Sequence, residues 1–155
     1  MVSYGHYLDV VPNLKLELAA GRSEIVVTGV EESVLYTVYV GPTNDRRYGF
    51  WQGRPKPNEQ IEVTLERGGS ILGRVTAPTG LTTSGAEVLL RNAMGVEVVV
   101  PVEADGSFER WGIQSQVLWH AEARAKDAAG NQFKSATEHV WVGSEVNLKL
   151  QPVRR

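Results

Sequence analysis

Residues 45 to 57 read Asp-Arg-Arg-Tyr-Gly-Phe-Trp-Gln-Gly-Arg-Pro-Lys-Pro and pack three aromatic and four basic side chains into thirteen positions. Aromatic rings stack on sugar faces and anchor protein partners, and guanidinium groups add hydrogen bonds to either. Side chains alternate between the two faces of a strand. Tyr48 and Phe50 would therefore share one face, with Arg47, Gly49 and Trp51 on the other. One aromatic set can serve as core, which leaves the other for a ligand or for packing between parts of the molecule. Arg47, Tyr48, Trp51 and Arg54 are accordingly the candidate binding residues, for a protein partner or a glycan. The competing structural role is that Trp51 covers a junction between two parts of the chain.

Other chemistry is sparsely represented. His6, His120 and His139 lie far apart, with no His-x-x-x-His spacing that would put two imidazoles on one element. His120 alternates with Trp119 and Ala121 and should face solvent. Glu31 and Glu32 are adjacent in a turn, and Glu103 and Asp105 flank another, whereas a glycosidase sets two carboxylates about 5–10 Å apart across a cleft. Asp127 and Asn131 offer too few oxygens for calcium, and a turn role explains both. No Gly-x-Ser-x-Gly or Gly-x-x-x-x-Gly-Lys occurs, and zero cysteines exclude disulfides, thiolate metal sites and a Cys nucleophile. The expectation is a non-enzyme with no catalytic residue, metal or cofactor.

Sixteen basic and eighteen acidic residues give a net charge of −2, which speaks against nucleic acid or an anionic membrane as partner. No apolar run approaches the roughly 20 residues that cross a bilayer as a helix, so membrane insertion is not expected. Residues Met1 to His6 carry neither a basic region nor an apolar core, so no signal peptide is read there.

These residues must be positioned by strands. Leu14, Leu16 and Leu18 alternate with polar residues, as do Ile61, Val63 and Leu65, and again Val146, Leu148 and Leu150. At the helical period of 100° per residue these positions would scatter around the axis. Leu14 to Ala20 is also readable as a short helix, but the alternation favours a strand. Ile71 to Val75, Val88 to Leu90 and Val96 to Val102 are aliphatic runs bounded by turn residues. Gly68-Gly69, Pro78-Thr79-Gly80, Asn92 to Gly95, Asp105-Gly106 and Gly130-Asn131 punctuate them, and Asp105-Gly106 reads as a hairpin turn. Trp119 and Trp141 fit inward strand positions, and Trp111 suits the end of a core. Many short strands at this spacing predict an all-β chain of antiparallel sandwiches.

An internal repeat refines this. Gly29-Val30-Glu31-Glu32-Ser33-Val34-Leu35-Tyr36 aligns without a gap on Gly112-Ile113-Gln114-Ser115-Gln116-Val117-Leu118-Trp119, and each block is followed at a similar distance by an alternating closing strand. Two tandem units of one sandwich type are therefore expected, a smaller one over residues 1–67 and a larger one over 68–155. The Glu66 to Ser70 link is too short for a free tether, so the units should have restricted relative motion.

The segments Gly69-Ser70-Ile71-Leu72-Gly73-Arg74-Val75, Ser84-Gly85-Ala86-Glu87-Val88-Leu89-Leu90 and Ala104-Asp105-Gly106-Ser107-Phe108 resemble the carboxypeptidase regulatory-like domain, with its prealbumin-like (transthyretin-like) β-sandwich. The resemblance covers residues 69–151, and Val117-Leu118-Trp119 stands where that family has Gly-x-Tyr. Asp127-Ala128-Ala129-Gly130-Asn131 also resembles a hairpin of bacterial immunoglobulin-like repeats. Both resemblances imply a noncatalytic Ig-like module of a secreted or cell-surface protein. The expected function is a structural spacer or protein-interaction domain beside neighbouring domains, with carbohydrate binding around Trp51 as the alternative.

Overall fold

A computed structural model of the chain describes residues 2–6, 14–16, 30–41 and 46–153, with side chains from residue 30 onward. The described residues contain strands and turns and no helix. In chain order the first strands are β1 (Val2–His6), β2 (Leu14–Leu16), β3 (Tyr36–Val40), β4 (Arg47–Gly53) and β5 (Leu65–Arg67). They form one antiparallel sheet in the order β2-β1-β3-β4-β5.

One residue, Gly68, separates β5 from β6 (Gly69–Thr76). There follow β7 (Glu87–Asn92), β8 (Glu97–Pro101), β9 (Ser107–Ile113), β10 (Trp119–Lys126), β11 (Gln132–Lys134), β12 (Glu138–Val140), β13 (Glu145–Lys149) and β14 (Gln151–Pro152). β13-β6-β9 is a three-stranded sheet; β14-β11-β10-β7-β8 is the path of a six-stranded one, in which β12 also pairs with β10. Sheets entirely antiparallel were expected, but β13 runs parallel to β6. A parallel pair needs a crossover of a dozen residues or more. Here most of the six-stranded sheet lies on that route, because β6 precedes it and β13 follows.

Alternation decides what is buried. On β6, Ile71, Gly73 and Val75 point inward while Leu72 and Arg74 point out. They meet Phe108, Val146 and Leu148 of their own sheet and Val88, Leu90, Val98, Val100, Trp119, Ala121 and Ala123 of the opposing one in a single buried cluster. The small alanines of β10 leave room for Trp119, which is fully buried and donates its indole N–H to the Gln114 carbonyl at 3.1 Å. Losing that ring to Ala would cost about 3–5 kcal/mol, the usual penalty for an aromatic removed from a core. Tyr36 opens β3 as Trp119 opens β10, and its hydroxyl accepts from the Glu31 backbone N–H at 2.9 Å. Glu31 and Gln114 hold the same place in the two aligned segments, so each aromatic is tied to the backbone five residues before it.

Several local expectations are corrected. Asp105-Gly106 does not close a hairpin: β8 and β9 belong to different sheets, and the turn is a corner between them. Gly106 at φ +85° accepts Val75 N–H on its carbonyl at 2.7 Å, and a Cβ there would strike the Val75 carbonyl. Asn92 to Gly95, by contrast, is a hairpin, in which Asn92 Oδ1 accepts from Met94 N and Val96 N. Ile61 to Thr64 is unpaired although Ile61 and Val63 are half-buried, and strand pairing begins only at Leu65. Leu14 to Leu16 is strand, and the remainder of the Leu14 to Ala20 run lies outside the described residues. Trp141 is not inward: it follows the end of β12 and is 54% exposed.

Candidate functional site

The aromatic and basic segment is β4 itself, whose register sets Gly49, Phe50 and Trp51 opposite Val40, Tyr39 and Val38 of β3. Tyr48 and Phe50 share one face and Gly49, Trp51 and Gly53 the other, as the alternation requires. Tyr48 is buried, stacks beside Tyr39 with ring centroids 6.3 Å apart, and donates its hydroxyl to Glu66 Oε2 at 3.3 Å. Phe50 packs on the same core. Trp51 is half-buried and lies over Gly53, where an added Cβ would come within 2.6 Å of its Cζ2 atom. Arg47 is exposed on the Trp51 face, and Arg54 is exposed just past the strand. β4 thus brings Arg47 and Trp51 to one side and sends Tyr48 to the other.

The junction forms on the Tyr48 side, so Trp51 is not the residue that covers it. Tyr39 and Tyr48 belong to the same buried cluster as Ile113 and Trp119, and Tyr39 donates its hydroxyl to the Gly112 carbonyl at 3.3 Å. Burial pushes both phenols above the usual tyrosine range, and at Tyr48 the Glu66 charge adds to it. Arg46 holds its guanidinium 4.2 Å above the Trp111 ring, and its carbonyl accepts Gly68 N–H at 3.1 Å. It does so at φ +64°, a conformation uncommon for a side chain of this size. Gly68 backs onto Gly112 so closely that a Cβ would collide with it and lie 2.7 Å from Ile113 N. Two strands separated by a short glycine link thereby become one packed body. Nothing in the composition of Arg46 or Trp111 announces their contact; the unusual φ and a Trp on a polar strand face are its only local signs.

The acids occupy turns. Asp127 Oδ1 accepts from Ala129 N and Asn131 N, and Oδ2 from Asn131 Nδ2 at 2.7 Å. Asp105 Oδ1 accepts from Ser107 N and its hydroxyl. These hydrogen bonds hold both carboxyls below the usual range. A cleft between the β10–β11 hairpin and β14 is lined by Gly130, Asn131, Gln132, Phe133, Pro152 and Val153, none of them titratable. Among the described residues no three His, Cys, Asp or Glu are grouped to hold a metal ion. Nor is any helix there long and apolar enough to cross a membrane.

The cross-strand register makes one pairing that linear spacing hides. His120 and His139 are direct partners on β10 and β12, with ring centroids 4.7 Å apart and planes at 87°. No protein-family model, curated protein or solved structure matches this chain.

Proposed function

We propose that the chain is a noncatalytic β-sandwich module that acts as a stiff spacer or protein-interaction domain in a larger surface or extracellular assembly. On this reading residues 1–67 and 68–155 are two Ig-like or prealbumin-like units, the second of the carboxypeptidase regulatory-like kind. The observation that carries it is the junction, where Tyr39 and Tyr48 bury their rings in the cluster of the following sandwich and Gly68 alone links the strands. A link of one residue with apolar packing and hydrogen bonds across it transmits orientation, as a spacer must. The matching tethers of Tyr36 to Glu31 and Trp119 to Gln114 support a common design for the two units.

Backbone 15N relaxation and small-angle scattering on the whole chain test this. One tumbling time and an envelope that does not change with salt are expected; separate tumbling of residues before and after Gly68 would refute the spacer. A glycan array tests the alternative centred on Arg47, Trp51 and Arg54. Saturable binding of a sugar by the intact chain, lost in Trp51→Ala, would replace the spacer reading with a carbohydrate-binding module.

A further inference from the structure

The outer face of the six-stranded sheet carries a transverse row of polar side chains. The register aligns Glu97 with Arg91, Arg91 with His120, and His120 with His139 across β8, β7, β10 and β12. Arg91 is occupied, its Nε lying 2.7 Å from Glu97 Oε1. The two imidazoles are not: among the described residues neither has a hydrogen bond or an ion pair, and each contacts the other edge to face. His139 is exposed and His120 half-buried, so solvent and small ions reach both.

We infer that His120 and His139 form an open two-imidazole chelate for a divalent transition metal ion of the zinc or copper class. Imidazole nitrogen suits these ions, with metal–nitrogen distances near 2.0–2.1 Å. Directly opposed cross-strand residues hold their Cβ atoms about 4.5–5.5 Å apart, and from that spacing the two rings, now in edge-to-face contact at 4.7 Å, can turn one nitrogen each onto a shared ion. Coordination beyond the two nitrogens falls to water, since among the described residues no third His, Cys, Asp or Glu is grouped with them. The Arg91 charge is countered by Glu97, so it does not stand unopposed beside an incoming cation.

The position gives the ion a structural consequence. β12 is three residues long and rejoins β10 after an interruption at Ser135, whose N–H and hydroxyl replace the ladder at Ala123. A metal shared by His120 and His139 would clip that short strand to the central one, just before exposed Trp141.

Zinc chloride titrated into the full chain by isothermal calorimetry is the test, with copper(II) electron paramagnetic resonance as a second readout. Saturable binding of one zinc per chain, a raised thermal midpoint reversed by chelator, and copper hyperfine structure from two imidazole nitrogens are expected. His120→Gln and His139→Gln should each weaken zinc by more than the 10- to 100-fold typical of losing an outer-shell partner, with an unchanged circular dichroism spectrum. His6→Gln should leave binding as it is. Absence of saturable binding overturns the inference, and so does binding that survives both substitutions or depends on His6. None of these outcomes bears on the rigidity of the junction.

Discussion

Tyr39 is where a single side chain has most consequence for the whole. Its ring is 1% exposed, and its hydroxyl reaches from the first sheet to the Gly112 carbonyl. Tyr39→Phe keeps the packing and removes the hydrogen bond, so a loss of about 0.5–1.5 kcal/mol is expected in urea unfolding. The phenol is held above its ordinary value of 10.0 by burial. A folded pKa above the unfolded one contributes stability that is complete below about pH 10 and lost as pH rises through the folded value. The native chain should therefore weaken above about pH 10, and Tyr39→Phe should flatten that alkaline limb. Asp127 works in the other direction. Its hydrogen bonds from Asn131 and the turn backbone lower its pKa, so its contribution is present above about pH 4 and disappears as pH falls through the lowered folded value. Urea unfolding of Asp127→Ala across a pH series, followed by near-ultraviolet circular dichroism, measures this. At neutral pH the substitution should lower stability, and the difference from the native chain should shrink on acidification.

At the scale of the element, strands were written plainly in the sequence and their partners were not. The alternation at Ile71 to Val75 and at Val146 to Leu150 gives the buried faces, because period two is a local property of the pleat. Nothing local states that β6 and β13 pair in parallel, since their contact depends on how everything between them folds. The same limit explains the corner at Asp105-Gly106: the glycine records a need for positive φ, which a hairpin and a corner share. It also explains the candidate site. The opposite faces of Tyr48 and Trp51 follow from alternation, but which face meets the next sheet does not, and His120 and His139 meet only through register. Gly73 is the residue that records the parallel pair. A Cβ there would collide with the Val146 carbonyl and stand 2.8 Å from Phe108 Cζ. Gly73→Ala should therefore destabilise by about 1–3 kcal/mol, the range for an overpacked core. Chemical denaturation measures the loss, and amide exchange should place it first in β6 and β13.

For the whole molecule the decisive question is whether the two parts of the chain unfold together. The buried cluster runs without interruption from Tyr39 and Tyr48 into the sandwich, and Arg46 over Trp111 closes its outer side. A stacked guanidinium at an exposed site is worth about 0.5–1 kcal/mol, less than the aromatic burial beneath it. Close backbone approach sets the geometry of all of this, and it depends on Gly68 lying against Gly112. Gly68→Ala inserts a methyl where backbone, not a yielding side chain, already stands. The residue is too few bonds from β5 and β6 to move alone, so relief requires the first sheet to shift off the sandwich. The native chain should show one cooperative transition in calorimetry. Gly68→Ala should show two, with the sandwich transition nearly unmoved and the first sheet melting earlier. Increased small-angle scattering radius and separate 15N tumbling times should accompany that split. A Gly68→Ala chain that still melts as one unit at the native temperature would show that the packing around Tyr39 and Tyr48 does not need this contact.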